Sequence, residues 1–497
     1  MPRPFDWIHP MLRAWHLGHA TRGYQNTWPH APHFGSISFC SRRPSQYGLA
    51  SGVIGFGNGR SISMEVLYVW GAPFAARITA QSIAAQEALM RSVGLLLVAV
   101  SLAALVAGET AAQGPIKIGF ISPLSGAIAA AGKDMYSGCE LYWQETGWQA
   151  GGRKLEVILE DNEGQPAAAL TKARKLVEND KVHMLAGVIL SNVAYALVPY
   201  VEAQGIPTLY PINSADDLTQ RKRPKWLIRT GFSAGGNMHP FGEFAAKTLG
   251  YRKVVMIGLD YAFGWETVGG FHKSFEDNGG QVIQKIWVPL NVQDYAPYLG
   301  QVRKDADAVF VNALGRWTLL FAKQYAESAL RGKPLIANGT YSDEHVLPQL
   351  GDESLGVISA HHYSAALDTP ANQRFRGAYE KAYARTPGFY GENCYTGARM
   401  VSEAIKAVGG NVEDRAAFMA ALRRMRITDA PRGPVEMDAY GNPTQNIYIR
   451  KVERVGGKLQ NTVIHTYPHV SQFWKYNPEE FLKQPVYSRE FPPCKYC

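Results

Sequence analysis

The chain is poor in cysteine, and its first ninety residues are poor in acids and hold no lysine. Five cysteines in 497 residues exclude a disulfide-built scaffold. Cys40 stands alone near the start, Cys139 and Cys394 are isolated, and Cys494 and Cys497 form a C-x-x-C in the terminal "FPPCKYC". A redox role needs that motif at a strand-to-helix junction, which a frayed C-terminal tail does not supply, and a zinc site needs a second pair. A small disulfide ring or inert thiols are the readings that remain. Residues 1–89 have Asp6, Glu65 and Glu87 as their only acids, and the first lysine is Lys117. They sustain no helical or alternating apolar pattern. "GFGNGR" (Gly55–Arg60) lacks the flanking strand and helix of a phosphate loop. His9, His16, His19, His30 and His33 crowd the start at spacings that match no metal-ligand pattern, so neither a metal nor another cofactor is expected.

Beyond residue 112 there is no long apolar run. The one strong run lies in "MRSVGLLLVAVSLAALVAGETAAQ" (Met90–Gln113). Met90-Arg91 is a short positive start, Val93 to Ala107 is apolar, and Thr110-Ala111-Ala112 is a small-residue cleavage site. The apolar part is shorter than the roughly 20 residues a membrane span needs, so the stretch reads as a signal peptide. The expectation is a natural start at Met90, with residues 1–89 a non-native or disordered extension and 90–112 the signal. The working protein then begins near Gln113 and is exported. Lys+Arg 51 against Asp+Glu 42 gives +9. Eight arginines and four acids of that balance fall in residues 1–112. The remainder is nearly balanced, with basic residues grouped only briefly, as in "QRKRPK" (Gln220–Lys225), which argues against a nucleic-acid partner.

What is present after Gly114 is an alternation. "IKIGFI" (Ile116–Ile121), "LEVILE" (Leu155–Glu160), "HMLAGV" (His183–Val188) and "PTLYPI" (Pro207–Ile212) read as strands. "PAAALTKARKLVEND" (Pro166–Asp180) opens on a first-turn proline and carries one apolar face. "SNVAYALVPYVEAQG" (Ser191–Gly205) starts with cap-type residues and stops at glycine. Strand, helix and strand at this spacing mean right-handed crossovers and a parallel sheet. The motif then restarts with strands at 253–260, 282–288, 308–314, 334–340 and 356–363, and helices such as Trp317–Leu330 between them. Two series imply two lobes, with ligands bound beyond the carboxyl ends of the strands.

Four strand-to-helix loops therefore carry the interest. "SPLSG" offers Ser125, "LSN" offers Ser191 and Asn192, "INSADD" offers Asn213 and Ser214, and "DYAFGWE" offers Tyr261 and Phe263. A hydroxyl at a helix N-terminus, such as Ser191, makes a seat for a carboxylate, although each polar residue of this type also serves as an ordinary cap.

"IKIGFISPLSG", "EDNEGQPAAALTKARKLVENDKVHMLAGVILSN", "GIPTLYPINSADDLT" and "KVVMIGLDYAFGWE" occur in one order and spacing. With "VQDYAPYLGQVRKDADAVFV" and "GFYGENCYTGARMVSEAI", they resemble the periplasmic solute-binding proteins of the branched-chain amino acid (Leu/Ile/Val-binding) ABC-transporter family. The resemblance runs from about Ile116 to about Val455. It implies an α/β, two-lobed periplasmic-binding-protein type I fold, each lobe a mainly parallel sheet flanked by helices, joined by three hinge crossovers. The expected lobes are 113–232 plus 364–430 and 233–363 plus 431–465, with 466–497 a tail. The family's carboxylate-binding hydroxyls fall on Ser191 and Ser214, with Asn213 adjacent. Its second-lobe aromatic falls on Phe263 or Tyr261, and a later contact on Asn312. The acidic residue that neutralises an amino acid's ammonium falls on Tyr341 in "NGTYSDE", with Asp343 and Glu344 close by. An ammonium without a counter-charge is costly to bury. This points to an amine-free carboxylate against Tyr261, Phe263 and Tyr341, with Arg316 nearby.

Against an enzyme, "GFSAG" (Gly231–Gly235) fits G-x-S-x-G, but its glycines and Pro240 are expected to delay the helix that a hydrolase elbow starts at once. His361 and His362, adjacent on a strand, are expected on opposite faces, so they do not ligate one metal together. The resulting expectation is a non-catalytic, monomeric, periplasmic binding protein that hands a small solute to an ABC permease and its ATPases in the inner membrane. The alternative is a ligand-sensing module that signals to a partner protein.

Overall fold

The computed structural model describes the backbone of residues 47–56 and 60–69 and all of residues 114–497. The expected signal peptide, the leader histidines and Cys40 lie outside the described residues. Strands β1 (Tyr47–Phe56) and β2 (Arg60–Val69) pair antiparallel, from Tyr47 opposite Val69 to Phe56 opposite Arg60. The expectation that this region holds no regular pattern is thus corrected. Val53, Ile54, Ile62, Val66 and Val69 favour strands without strict alternation, and Asn58-Gly59 between the two runs is a hairpin signal.

Residues 114–497 form a separate compact unit. Its first sheet uses β3 (Ile116–Ser122), β4 (Gln149–Ala150), β5 (Arg153–Asp161), β6 (Met184–Gly187), β7 (Thr208–Tyr210) and β8 (Leu227–Arg229) in the order β4-β5-β3-β6-β7-β8. All pairs except β4–β5 are parallel. Helices α1 (Ala129–Glu145), α2 (Pro166–Arg174) and α3 (Ser191–Gln204) fill the crossovers. Pro166 opens α2, and Gly205 ends α3 at φ 57, a left-handed cap that glycine adopts without strain. The helix expected to Asp180 changes to a π turn over Lys175–Asn179, which keeps Leu176 in the core against Gly119.

The chain leaves this sheet at 230–233. It then runs through α4 (Ala234–Lys247), β9 (Lys253–Leu259), α5 (Ala262–Asp277), β10 (Gln281–Val288), α6 (Ala296–Leu299), β11 (Ala308–Val311), α7 (Arg316–Glu327), β12 (Leu335–Asn338) and β13 (Ile358–His361). β10-β9-β11-β12-β13 are parallel neighbours. Strands β9, β11 and β12 are buried along nearly their whole length, as parallel strands covered on both faces are. After 362–369 the chain returns through α8 (Pro370–Tyr383), α9 (Phe389–Ala407) and α10 (Arg415–Leu422) to pack beside α1. A Cβ on Gly138 of α1 would stand 1.8 Å from the Gly391 carbonyl oxygen of α9, so only glycine allows this approach. Beside this contact, Cys139, next to Gly138, and Cys394, three residues after Gly391, are joined as a disulfide, which corrects their reading as isolated.

A third passage, at 423–434, leads back to the second sheet. There β14 (Arg426–Ile427), β15 (Val435–Met437), β16 (Pro443–Val455) and β17 (Lys458–Val470) complete the antiparallel side, with β13 paired to β16. The C-terminal residues are not frayed. α11 (Pro478–Lys483) and its flanks build a small core of Phe473, Phe481 and Tyr487. Tyr487 Oη lies 2.8 Å from His239 Nε2 on α4, and the ring fills space left by Gly235 and Gly269. Cys494 and Cys497 are paired there as a disulfide.

Candidate functional site

The carboxyl ends of both sheets face each other, and the loops beyond them meet. From the first lobe come Ile189 and Leu190 after β6, and Ile212 and Ser214 after β7. From the second come Tyr261 and Phe263 after β9, Leu314 after β11, and Thr340 after β12. Phe232 enters from the first passage and Phe389 and Tyr390 from the start of α9. The space they enclose is small, about 20 Å³ open to the centre of a water-sized sphere. That is room for about one water molecule. The lobes are shut on each other here. Tyr195 Oη on α3 donates to Glu266 Oε1 on α5 at 2.8 Å, and the Phe389 amide donates to Asp343 Oδ2 at 2.9 Å.

The sequence-predicted residues divide into four groups. Ser214, Tyr261 and Phe263 line the cavity. Ser191, Asn192 and Asn312 are not among the lining residues. Ser191 Oγ, Asn192 Oδ1 and both side-chain atoms of Asn312 are buried with no hydrogen-bond partner among the described residues. Such groups cost about 1–3 kcal/mol each unless a ligand or water satisfies them. Asn213 is structural: its Nδ2 donates to the Ile189 carbonyl at 2.9 Å and its Oδ1 accepts from the Ala215 amide, which ties two first-lobe loops together. The remaining three lie elsewhere. Ser125 is exposed and bonded to Asp161. Arg316 is exposed and donates to Gln293 Oε1 at 2.7 Å. Tyr341 is buried in the second lobe's core, its ring 6.3 Å from that of Phe321, while its neighbour Thr340 faces the cavity.

Sequence reasoning missed Phe232, Thr340, Phe389 and Tyr390, and the interlobe pair Tyr195–Glu266. Phe232 lay inside the quoted "GFSAG" and Tyr390 inside "GFYGENCYTGARMVSEAI", so an aromatic beside a glycine at a hinge was the available signal.

The acids near the cavity are engaged. Burial opposes charge on Asp343, but His345 beside it and the amides of Phe389 and His345 outweigh this and hold its carboxyl below the ordinary value. Burial, then the charge of Asp343, pushes Glu344 up to about 7. Burial, then Asp216, drives Glu266 well above the usual carboxyl range. No acid and no cation lines the cavity itself.

Two expectations are corrected here. α4 begins directly after Ser233, so no delay separates the serine from its helix; Pro240 sits inside that helix. The serine is nevertheless spent as a cap: its Oγ accepts from the Gly236 amide at 3.0 Å and bonds Asp216. His361 and His362 do not diverge, because β13 ends at His361; their rings lie 4.3 Å apart, and both pack on Phe232. Burial lowers both far below the ordinary histidine value, and no group of metal-ligating side chains occurs among the described residues.

Two α/β lobes closing a small apolar cavity at their strand ends define a hinged solute-binding protein. The periplasmic binding protein family model matches residues 115–458, and the chain belongs to that family. It is 32% identical over 372 residues to Leu/Ile/Val-binding protein homolog 6 of Brucella melitensis, covering 73% of this chain and 94% of that one. It is 34% identical, with a TM-score of 0.69, to an ABC-transporter solute-binding protein from Rhodopseudomonas palustris BisB5 solved with 3,4-dihydroxybenzoic acid. That match covers 72% of this chain and 99% of the other. A leucine-binding protein from Thermotoga maritima MSB8, 21% identical over 71% of this chain and 99% of its own with a TM-score of 0.64, shares the fold. The family and these neighbours are solute-binding proteins rather than enzymes. Among the described residues no helix is long and apolar enough to cross a membrane.

Proposed function

We propose that this protein is an exported, non-catalytic binding component of an ABC importer that captures a small aromatic carboxylate between its lobes in the periplasm. The closed form, acting as a monomer, delivers the solute to an inner-membrane permease and its ATPases. The observation that carries this reading is the cavity wall: Phe232, Tyr261, Phe263, Phe389 and Tyr390 supply rings, and no acidic side chain is present to neutralise an ammonium. An amino acid would bury its positive charge without a partner, at a cost that an amine-free acid avoids. The carboxylate is assigned to Ser191 and Asn192 at the start of α3, where free amides and the helix dipole favour an anion, with Ser214 from the loop after β7. Asn312 faces it from the second lobe. The benzoate-type ligands of neighbours at 30–34% identity support the same chemistry. The lobes are assigned to residues 113–232 plus 364–430 and 233–363 plus 431–465, hinged at the three passages between them. A thermal-shift panel tests the reading. Benzoate and 4-hydroxybenzoate are expected to raise the melting temperature while leucine and valine do not. The opposite pattern overturns the ligand class, and a shift with neither group overturns the site.

A further inference from the structure

Residues 471–497 line no part of the solute cavity, yet they bond to both lobes. Their anchors are on the second lobe. Lys475 Nζ reaches both carboxylate oxygens of Glu243 on α4 at 2.9 Å, and Tyr476 Oη donates to Asp277 Oδ2 at the end of α5 at 2.8 Å. Tyr487 is buried against the same two helices, bonded to His239 and pressed on Gly235 and Gly269. Beyond it, Lys285 of β10 donates to the carbonyls of Arg489 and Pro492 at 3.2 and 2.9 Å, and Arg489 pairs with Asp260 at 3.3 Å.

Two grips hold the first lobe, both on the loop between β7 and β8. Arg221 Nη2 donates to the carbonyls of Gln484 at 2.7 Å and Phe481 at 3.3 Å, at the end of α11, where a cation is favoured. Its Nη1 is bonded to Asp217 and Gln220, each at 3.2 Å, which fixes the guanidinium on its own loop. The Gln472 amide group donates to the Thr219 carbonyl at 3.2 Å and accepts from the Thr219 hydroxyl at 3.0 Å. Thr219 and Gln472 are both buried, so these bonds form out of water, where each counts for more.

Grip and anchor alternate along the chain. Gln472 precedes Lys475 by three residues, and Gln484 precedes Tyr487 by three. Three residues at full extension span at most about 11 Å, and Gln484 is already extended, at ψ 156. The segment therefore holds little slack. If it stays on α4 and α5 while the lobes part, Thr219 and Arg221 are drawn away from it and their bonds break. An interaction made in the shut arrangement and lost in the parted one favours the shut one by its own free energy.

We propose that residues 471–487 are a strap that limits how far the lobes part, anchored on the second lobe and gripping the first through Arg221 and Gln472. The strap rests on the hinged two-lobe reading given above. Small-angle scattering of the purified, ligand-free protein tests it with two variants. Arg221→Ala/Gln472→Leu removes the grips. Insertion of Gly-Ser-Gly-Ser after the exposed Pro485 leaves every bond available and adds only slack, so its melting temperature should stay near that of the wild type. Both are expected to show a larger radius of gyration than the wild type. Arg221→Lys, which keeps the charge but lacks the fork that reaches two carbonyls, should fall between. Affinity for 4-hydroxybenzoate should drop about tenfold in the double variant, through faster release. A wild-type radius in either variant, or wild-type affinity in the double variant, overturns the strap. If the wild type does not bind 4-hydroxybenzoate, the aromatic-acid reading fails instead, and the radius, which needs no solute, still decides the strap.

Discussion

Glu266 offers a demanding test of closure. Its side chain is 1% exposed, with Oε1 held by Tyr195 across the lobes at 2.8 Å. Burial, followed by the neighbouring Asp216, drives its pKa well above the ordinary value. Asp216, itself pushed up to about 6 by burial despite Arg229, ionises on the way and raises Glu266 further. A raised pKa in the shut form means that the shut form holds the proton. The contact is therefore at full strength below the ordinary carboxyl pKa of about 4.3 and weakens as pH rises toward the raised value. If parting the lobes returns Glu266 to water, closure takes up one proton. Affinity should then fall as pH rises from 5 to 7. Glu266→Gln keeps the acceptor for Tyr195 and removes the titration, so its affinity for 4-hydroxybenzoate should be flat across that window. Tyr195→Phe removes the interlobe bond and leaves the acid only the Asp216 amide, so it should weaken binding by about 1–3 kcal/mol, or 5- to 150-fold. Calorimetry at pH 5, 6 and 7 in buffers of different ionisation enthalpy reads both affinity and proton uptake. An equal pH slope in wild type and Glu266→Gln, or a Tyr195→Phe variant that binds as tightly as wild type, refutes the reasoning.

Two further outcomes concern stability. A Cβ on Gly339 would stand 2.1 Å from His361 Cδ2 and 2.6 Å from the Ala360 carbonyl oxygen, so Gly339→Ala must displace backbone as well as a ring. It should lose about 1–3 kcal/mol in urea unfolding, and an unchanged midpoint would contradict the packing described. The Cys139–Cys394 disulfide spans a sequence separation of 255, so removing it as Cys139→Ser/Cys394→Ser should cost about 2–5 kcal/mol. A reductant should lower the wild-type melting temperature by more than that of the double variant, which keeps only the short Cys494–Cys497 ring.

The strand positions were legible because buried parallel strands read as short apolar runs, and Pro166 and Gly205 mark helix ends by backbone chemistry alone. The first-lobe loops were legible for the same reason: each directly follows such a run. What escaped was contributed from far along the chain. Phe389 and Tyr390 reach the cavity only because the chain comes back to pack α9 on α1, and Cys139 meets Cys394 through the same return. Thr340 replaces Tyr341 at the cavity because β12 ends at Asn338 and the chain turns there, the Tyr341 amide bonding the Asn338 carbonyl and its ring entering the core. The C-terminal residues looked like a tail because Tyr487 finds its place between glycines more than two hundred positions away. The serine of "GFSAG" shows the converse: the local pattern matched, the helix followed at once, and the hydroxyl was still spent on its own helix.

The central claim is that a carboxylate sits against the buried, unpartnered hydroxyl of Ser191. Ser191→Ala removes a group that bonds nothing else in the described protein, so the unliganded melting temperature should be unchanged or slightly higher. Its affinity for 4-hydroxybenzoate, measured by calorimetry, should fall about tenfold, the loss of one hydrogen bond to a charged group. Wild-type affinity in Ser191→Ala would contradict the account.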